Sequence, residues 1–317
     1  MARPPREVVL GVAGGVALLA LSIALGHRWS VLIGPREGAN SHGVIKFLLS
    51  WKIWLGVSAL MLVEELVPAS RRPQLITRGV TGNLMCAIFR FGVWTWVLAT
   101  FFQRMDSLLE HHATFLSLGL GRYLPGWVIL PLGFVIADFL GYWRHRALHR
   151  VPLLWRIHAV HHSDTEMNSF SDDRTHPLEW LFASGLQFLV FFVLDGSLHW
   201  TSFTLVYLLS WHSRLYHSNV DTDLGPLTYL VVTPNSHRIH HSTEQRDFDR
   251  NFGTSLVIWD RLFGTRTDPR PVQPTTGLAG YRGAPDVGEH ALGYYLHLLV
   301  SPFRAQPTAE VAAGVGA

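Results

Sequence analysis

The 317-residue sequence contains one cysteine, Cys86, which lies within an apolar run. A single cysteine excludes an intrachain disulfide and a metal site made of several thiolates. Flavin, nucleotide and haem motifs are also missing from the sequence. Any metal bound by this chain therefore has to be held by histidine and oxygen atoms.

Charged residues are scarce as well, at 15% of the chain, whereas apolar residues make up 48% and the mean hydropathy is +0.20. This balance is high for a soluble domain and ordinary for a protein with several membrane spans. The formal net charge is +3, but the basic residues flank apolar segments rather than forming one patch. That distribution argues against a nucleic-acid-binding protein.

Histidine, by contrast, is abundant, with 18 residues in the chain. Five of them lie between Asp138 and His162, and the triplet pattern H-x-x-H-H occurs at His158 and again at His237. Two such triplets are expected by chance in about one of five hundred chains of this composition. Residues three and four apart share one face of a helix, so each group is able to direct several imidazoles at one metal ion.

Apolar segments predict an all-helical bundle of membrane spans with a helical cap on the cytoplasmic side. The first segment is long and is followed by no convincing cleavage site, so we interpret it as a span rather than a signal peptide. We expect N-terminal spans in residues 1–125, a histidine-rich domain in 126–266 and an interfacial segment with a flexible tail in 267–317. The predicted spans are Val8–Leu25, Val44–Val67, Met85–Phe102 and Trp127–Trp143, followed by a hairpin with arms Leu178–Leu194 and Thr201–Trp211 around Asp195 and Gly196.

The positive-inside rule gives the orientation of these spans. Arginines cluster before the first span, after the second and after the fourth, which places those three links on the cytoplasmic face. His27, His42, His111, His112 and His199 then fall on the other side. The cytoplasmic histidines are His145, His149, His158, His161, His162, His176, His212, His217, His237, His240 and His241.

Each histidine pattern also has a simpler interpretation. A pair at H-x-x-x-H spacing, such as His145 and His149, is weak evidence because a basic helix end also suits lipid headgroups. Adjacent histidines such as His161 and His162 are harder to explain as core residues, because two buried imidazoles need two sets of hydrogen-bond partners. His176 is as well suited to capping a helix as to binding a metal, and we expect His212 to be structural.

Six motifs in order, DFLGYWRHRALH, WRIHAVHHS, RTHPLE, YHSN, TPNSHRIHHS and NFGTSLVIWDRLFGT, resemble the fatty acid hydroxylase or sterol desaturase superfamily of membrane non-heme diiron enzymes. The resemblance covers roughly residues 138–265. It implies a cytoplasmic dimetal centre, usually of iron, that activates dioxygen to hydroxylate or desaturate an unactivated carbon chain or sterol ring.

The resemblance also implies a ligand set, and the chemistry of histidine ligands indicates supporting residues, because a ligating histidine usually donates its other N–H to a carboxylate or carbonyl. Ser213 stands where some members carry a further histidine, so that region offers one ligand. Asp138, Asp260 and His176 are possible supporting residues or extra ligands, whereas Asp164, Asp172, Asp173, Glu179 and Asp249 remain open, and no separate catalytic residue is required. The expected ligands are His145, His149, His158, His161, His162, His217, His237, His240 and His241.

Nine imidazoles exceed one coordination sphere, which favours two metal ions. Nitrogen ligands suit iron, zinc or copper, and zinc lacks redox chemistry. We therefore expect two iron ions, with zinc as a possible substitute, a lipid or sterol-like substrate, and a separate reductase, ferredoxin or cytochrome as electron donor. The alternatives are a zinc-dependent membrane hydrolase and a non-catalytic metal- or lipid-binding membrane protein.

Overall fold

The computed structural model describes residues 59–64, 66, 68–69, 78–90, 95–196, 200–222, 224–270 and 273–278. The predicted first span, most of the second and the segment after residue 278 lie outside these ranges. The helices are α1 (Arg78–Phe89), α2 (Thr95–His112), α3 (Gly126–Arg150), α4 (Pro152–His162), α5 (Pro177–Asp195), α6 (Trp200–His217), α7 (Pro234–His240) and α8 (Ile258–Leu262).

Short 3-10 turns connect several of these helices. The described ranges contain isolated β-bridges but no β-strands. The prediction of an all-helical fold is thereby confirmed for this part of the chain. The boundaries at residues 125 and 266 remain predictions. The 3-10 turns are Thr114–Leu116, Leu120–Arg122, Ser171–Asp173, Gly225–Tyr229 and Gln245–Asp247.

Two of the described helices, α3 and α5, are long and apolar enough to cross a membrane. They contain the predicted fourth span and the first arm of the predicted hairpin. They pack together closely, since a Cβ added at Gly133 on α3 would lie 2.5 Å from the ring of Phe191 on α5. Helix α5 ends at Asp195, and Gly196 follows with φ 83°, the left-handed conformation that glycine adopts readily.

The predicted third span, Met85–Phe102, does not coincide with one described helix. It begins in α1 and ends in α2, and residues 91–94 lie outside the described ranges. Arg90 falls within the bounds of that predicted span, but its guanidinium contacts the carboxylates of Asp172 and Asp173. A buried guanidinium is far more stable beside two carboxylates than in hydrocarbon, which explains the difference.

A sharp break between α3 and α4 creates the first half of the histidine site. Val151 is extended, with φ −97° and ψ 117°, and Pro152 is the first residue of α4. Proline suits a first helical position because its missing N–H has no partner there in any helix. Helix α4 consequently folds back and packs against α3, which places the second histidine cluster across from the first.

Helices α6 and α7 supply the other half of the site. Helix α7 starts with a capping box between Thr233 and Ser236, a pairing that satisfies two backbone N–H groups at a helix start. The segment before it is held to the 251–265 segment, because the Val232 N–H donates to the Ser255 carbonyl at 2.9 Å. Tyr216, Val232 and Val257 form a small buried core beneath this junction. The end of α6 and the start of α7 are thereby fixed against the 251–265 segment.

Candidate metal centre

The nine histidines expected to bind metal are brought together in two groups. Within each group the ligand nitrogens, one from each residue, all lie within 4.8 Å of one another. His149 is partly buried and the other eight are buried. The five-histidine group contains His145, His149, His158, His162 and His240, and the four-histidine group contains His161, His217, His237 and His241.

The two groups are adjacent rather than separate sites. The rings of His162 and His241, one from each group, stack with centroids 4.2 Å apart. The ring centroids of His158 and His161 are 5.3 Å apart, as are those of His240 and His241. The arrangement is one centre with two halves.

Hydrogen bonds to protein oxygens fix the tautomer of five of these imidazoles. A carbonyl or carboxylate oxygen accepts, so the ring nitrogen facing it must carry the proton. Their Nε2 atoms are therefore left with lone pairs. The Nδ1 atoms donate to Phe252 O from His145 (2.9 Å), Glu179 from His158 (3.0 Å), Arg174 O from His161 (3.2 Å), Ser213 O from His217 (2.8 Å) and Arg250 O from His240 (2.8 Å).

These lone pairs point at one another. Nε2 of His145 lies 3.1 Å from Nε2 of His158, and Nε2 of His161 lies 2.9 Å from Nε2 of His217. Two neutral imidazoles with both Nδ1 protons already donated have no proton to share between such atoms. A cation between them removes the conflict, since nitrogens about 2.0–2.1 Å from one ion lie roughly 2.8–3.4 Å from each other in octahedral or tetrahedral geometry.

Other ligand nitrogens are buried and short of partners. Nε2 of His149, His162 and His240 has no hydrogen-bond partner among the described residues. Buried polar atoms of this kind usually require a partner, and three in one group call for a shared one. The donor set thus fits divalent metal ions, one for each group.

The electrostatics of the site keep the imidazoles in the form that binds metal. Burial lowers the pKa of His161 to about 4, with a further contribution from the neighbouring His217. Burial likewise lowers the pKa of His240 to about 3. For His162 and His241, burial and the adjacent histidines hold the pKa well below its ordinary value. These rings are neutral at neutral pH, as metal ligation requires.

Two buried carboxylates lie next to ligand histidines. Both oxygens of Glu179 are 3.0 Å from Nδ1 of His158, and an oxygen of Asp172 is 3.5 Å from Nδ1 of His217. Although burial alone would raise it, the charges of Arg90 and other cations hold the pKa of Asp172 below its ordinary value. Sequence reasoning left both acids undecided. The sequence feature that points to Glu179 is the RTHPLE motif, whose last residue it is. Glu179 lies in the first turn of the helix that Pro177 begins.

Asp138 supports the site from a distance. Its carboxylate accepts hydrogen bonds from the Thr254 hydroxyl at 2.8 Å, from the Leu256 N–H at 3.1 Å and from the Trp259 indole at 2.8 Å. It thereby ties α3 to the 254–259 segment. Its partners are in that segment and not among the ligand histidines.

Asp260 acts one step closer to the metal centre. It accepts hydrogen bonds from the N–H groups of Phe252 (2.7 Å) and Gly253 (2.8 Å) and from the Thr265 hydroxyl (2.7 Å). The Phe252 carbonyl is the acceptor for His145. Asp260 therefore fixes the peptide that orients a ligand.

His176 and His212 lie outside both groups. Nδ1 of His176 accepts the Leu178 N–H at 3.1 Å, so this side chain caps α5, which is the capping alternative considered from the sequence. Nε2 of His212 lies 2.9 Å from the Val232 carbonyl. That bond is structural, joining α6 to the segment before α7.

Residues 130–265 match the fatty acid hydroxylase family. This part of the chain is similar to that family. The matched segment begins inside α3 and ends at Thr265, whose hydroxyl donates a hydrogen bond to Asp260. It contains all nine grouped histidines. The prediction of the fatty acid hydroxylase or sterol desaturase superfamily is confirmed.

Curated relatives resemble the chain over this domain. An ornithine lipid hydroxylase, OlsE of Rhizobium tropici, is 37% identical over 153 residues, covering 47% of this chain and 45% of the relative. The alkylglycerol monooxygenase of Homo sapiens is 35% identical, with 42% and 29% covered. The very-long-chain aldehyde decarbonylase GL1-11 of Oryza sativa is 30% identical, with 49% and 60% covered. The chain thus spans less than two thirds of each relative, and no solved structure matches it.

Proposed function

We propose that this chain is a metal-dependent lipid oxygenase, which hydroxylates or desaturates a lipid or sterol-like substrate with dioxygen and externally supplied electrons. The observation that carries the proposal is the pair of adjacent, buried histidine groups in a fatty acid hydroxylase domain. The printed names of the relatives, a lipid hydroxylase and an alkylglycerol monooxygenase, support a lipid as the substrate class.

Two iron ions are the proposed cofactor, one held by the five-histidine group and one by the four-histidine group. When bound, such a pair supplies the reduction of dioxygen and the oxidation of an unactivated C–H bond. An all-imidazole set without thiolates suits iron or zinc equally as a ligand field. The redox chemistry named by the relatives favours iron over zinc.

The chain's own contribution is to hold the imidazoles in position and to exclude water. Phe252 is fully buried, and its ring lies 5.1 Å from that of His149 and 5.7 Å from that of His145. The ring of Trp155 lies 5.0 Å from His149 and 5.4 Å from His162. These aromatic walls line the five-histidine group and keep competing water from the reacting centre.

The position of the site supports substrate delivery from a membrane. His145 and His149 lie in the last turns of α3, a helix able to cross a bilayer. A lipid lying alongside α3 in the bilayer would therefore have carbon atoms at the same depth as the histidine groups. We further propose that the chain is a multi-pass membrane protein, that the site faces the cytoplasm, and that a separate reductase, ferredoxin or cytochrome supplies electrons.

The test is metal content measured together with activity on a membrane lipid extract, in air and without oxygen. We expect two iron ions per chain and a lipid product that forms only when both dioxygen and a reducing system are present. The matched control is His212→Gln, which alters a histidine outside both groups. Stoichiometric zinc with full activity under anaerobic conditions would overturn the proposal and favour the hydrolase alternative.

A further inference from the structure

Each histidine group lies beside one buried carboxylate, and the two carboxylates differ in what else they contact. Glu179 is 7% exposed and faces Nδ1 of His158 with both oxygens at 3.0 Å. Its cationic neighbour Arg144 is 3.6 Å away, and the Arg144 side chain is 24% exposed. Glu179 therefore accepts the Nδ1 proton of a histidine in the five-histidine group, although its charge also reaches His161 and His217 of the other group.

Asp172, beside the four-histidine group, is bound by other partners. It accepts a hydrogen bond from Arg90 at 2.9 Å, and the Ser213 hydroxyl donates to its second oxygen. Its distance to Nδ1 of His217 is 3.5 Å, whereas that same nitrogen lies 2.8 Å from the Ser213 carbonyl. The His217 proton is therefore donated to a neutral carbonyl and not to the carboxylate.

Local charge reinforces this difference. Asp172 belongs to a compact network in which Arg90 also contacts Asp173, and Asp173 pairs with Arg214 at 2.8 Å. Two carboxylates and two buried guanidiniums balance one another there. The distance from Arg144 to Glu179 is longer than that from Arg90 to Asp172, and the Arg144 side chain is more exposed than that of Arg90. Water therefore screens more of the Arg144 charge.

A carboxylate that accepts the second N–H of a ligand histidine fixes the ring and raises its basicity, which strengthens its bond to a cation. A carbonyl orients the ring in the same way but brings no charge. The ligand His158 of the five-histidine group has the first kind of partner, and the ligand His217 of the four-histidine group has the second.

We propose that Glu179 is a positioning residue that makes the two metal sites unequal, so that the five-histidine group holds its ion more tightly. This inference rests on the proposed function only in requiring that both groups bind metal. It also gives a reason for the RTHPLE motif. His176 caps the N-terminus of α5, and Glu179 in the first turn of that helix accepts the Nδ1 proton of His158. The start of a candidate membrane helix is thereby joined to a proposed metal ligand.

The test uses the full-length chain in detergent, loaded with Co²⁺ and challenged with increasing chelator, with the absorbance of bound cobalt as the readout. We expect two release steps in the wild-type protein. In Glu179→Gln the amide oxygen still accepts the His158 proton without charge, and the tighter step weakens by about 10–100-fold. Glu110→Gln, on an exposed position of α2, is the matched control and leaves both steps unchanged.

A second variant separates charge from structure. Arg144→Gln removes the cation that offsets Glu179, so we expect the tighter step to strengthen. If Glu179 and Arg144 were only a structural ion pair, both variants would weaken metal binding, and that result would overturn the inference. An unchanged tighter step in Glu179→Gln would overturn it too. A wild-type chain that binds fewer than two ions would instead overturn the proposed two-ion centre.

Discussion

The two H-x-x-H-H triplets have the same spacing and contribute to the two histidine groups in opposite ways. In α4, His158 and His162 belong to the five-histidine group, and the intervening His161 belongs to the four-histidine group. In the second triplet, which runs from α7 to the residue that follows it, the outer pair His237 and His241 belongs to the four-histidine group, and His240 belongs to the other. Residues four apart share a helix face, so each triplet gives a pair of histidines to one group and a single histidine to the other.

This exchange explains why the two halves form one centre. Each triplet joins both groups, and so neither half is built by one helix alone. Substitution of a single histidine should therefore weaken binding of one ion directly. It should weaken binding of the other ion to a smaller extent, because the two groups share that helix. The predictions below test how separable the two halves are.

The largest effect is expected from removing one ligand of each group. His162→Ala should remove the ion of the five-histidine group, and His161→Ala, one residue away, should remove the other ion. Each should lower metal content from two ions towards one and reduce activity by more than about 100-fold, beyond the losses seen for changes outside the ligands. Elemental analysis and product formation measure both effects. Identical cobalt spectra for the two variants would contradict the assignment of these ligands to different ions.

The next largest effect concerns the buried ion network on the side of the four-histidine group. Arg90→Met leaves Asp172 and Asp173 without a buried cation that contacts both, and we expect a loss of about 3–5 kcal/mol in stability. The melting temperature of the metal-loaded protein measures it. Arg104→Met, at an exposed position of α2, is the control, and equal melting temperatures for the two variants would rule out a stabilising role for Arg90.

A smaller effect is expected from the loop that supports the five-histidine group. Asp260→Asn removes a charged acceptor from two backbone N–H groups and a hydroxyl, which should cost about 1.5–3 kcal/mol. Because the Phe252 carbonyl orients His145, chelator should remove the ion of the five-histidine group more easily. Asp268→Asn, an exposed acid, is the control. Weakening of the four-histidine group alone would contradict this role.

The smallest effect is expected at Ser213. Ser213→Ala removes the hydroxyl that donates to Asp172 but keeps the carbonyl that accepts the His217 proton. We expect a loss of about 0.5–1.5 kcal/mol in stability with little change in metal affinity. A double-mutant cycle with Asp172→Asn isolates the pair. A large loss of metal from Ser213→Ala would show that Asp172 acts on His217 through this hydroxyl.

Much of the centre was predictable from the sequence because ligand spacing follows helical geometry. The nine histidines expected to bind metal are the nine that the structure groups. Their division between two ions was not predictable, because it depends on how α3, α4 and α7 cross. Spacing within one helix contains no information about the rotation of the next helix.

The supporting acids were harder to predict for the same reason. Asp138 and Asp260 stood out because they lie near apolar segments, yet they bind the 252–259 backbone and side chains. Glu179 and Asp172 touch ligand imidazoles through contacts between residues 21 and 45 positions apart in the chain. Arg90 was expected in a span because its partners, about 80 residues downstream, form no local pattern.

The central claim is that the two histidine groups support dioxygen-dependent oxidation of a lipid. The most direct measurement is mass spectrometry of lipids incubated with the purified, iron-loaded chain, a reducing system and ¹⁸O₂. The account predicts a product that has gained one ¹⁸O atom or lost two hydrogens, and none from His162→Ala. A cleaved lipid carrying only oxygen from water, formed equally well without dioxygen, would contradict it.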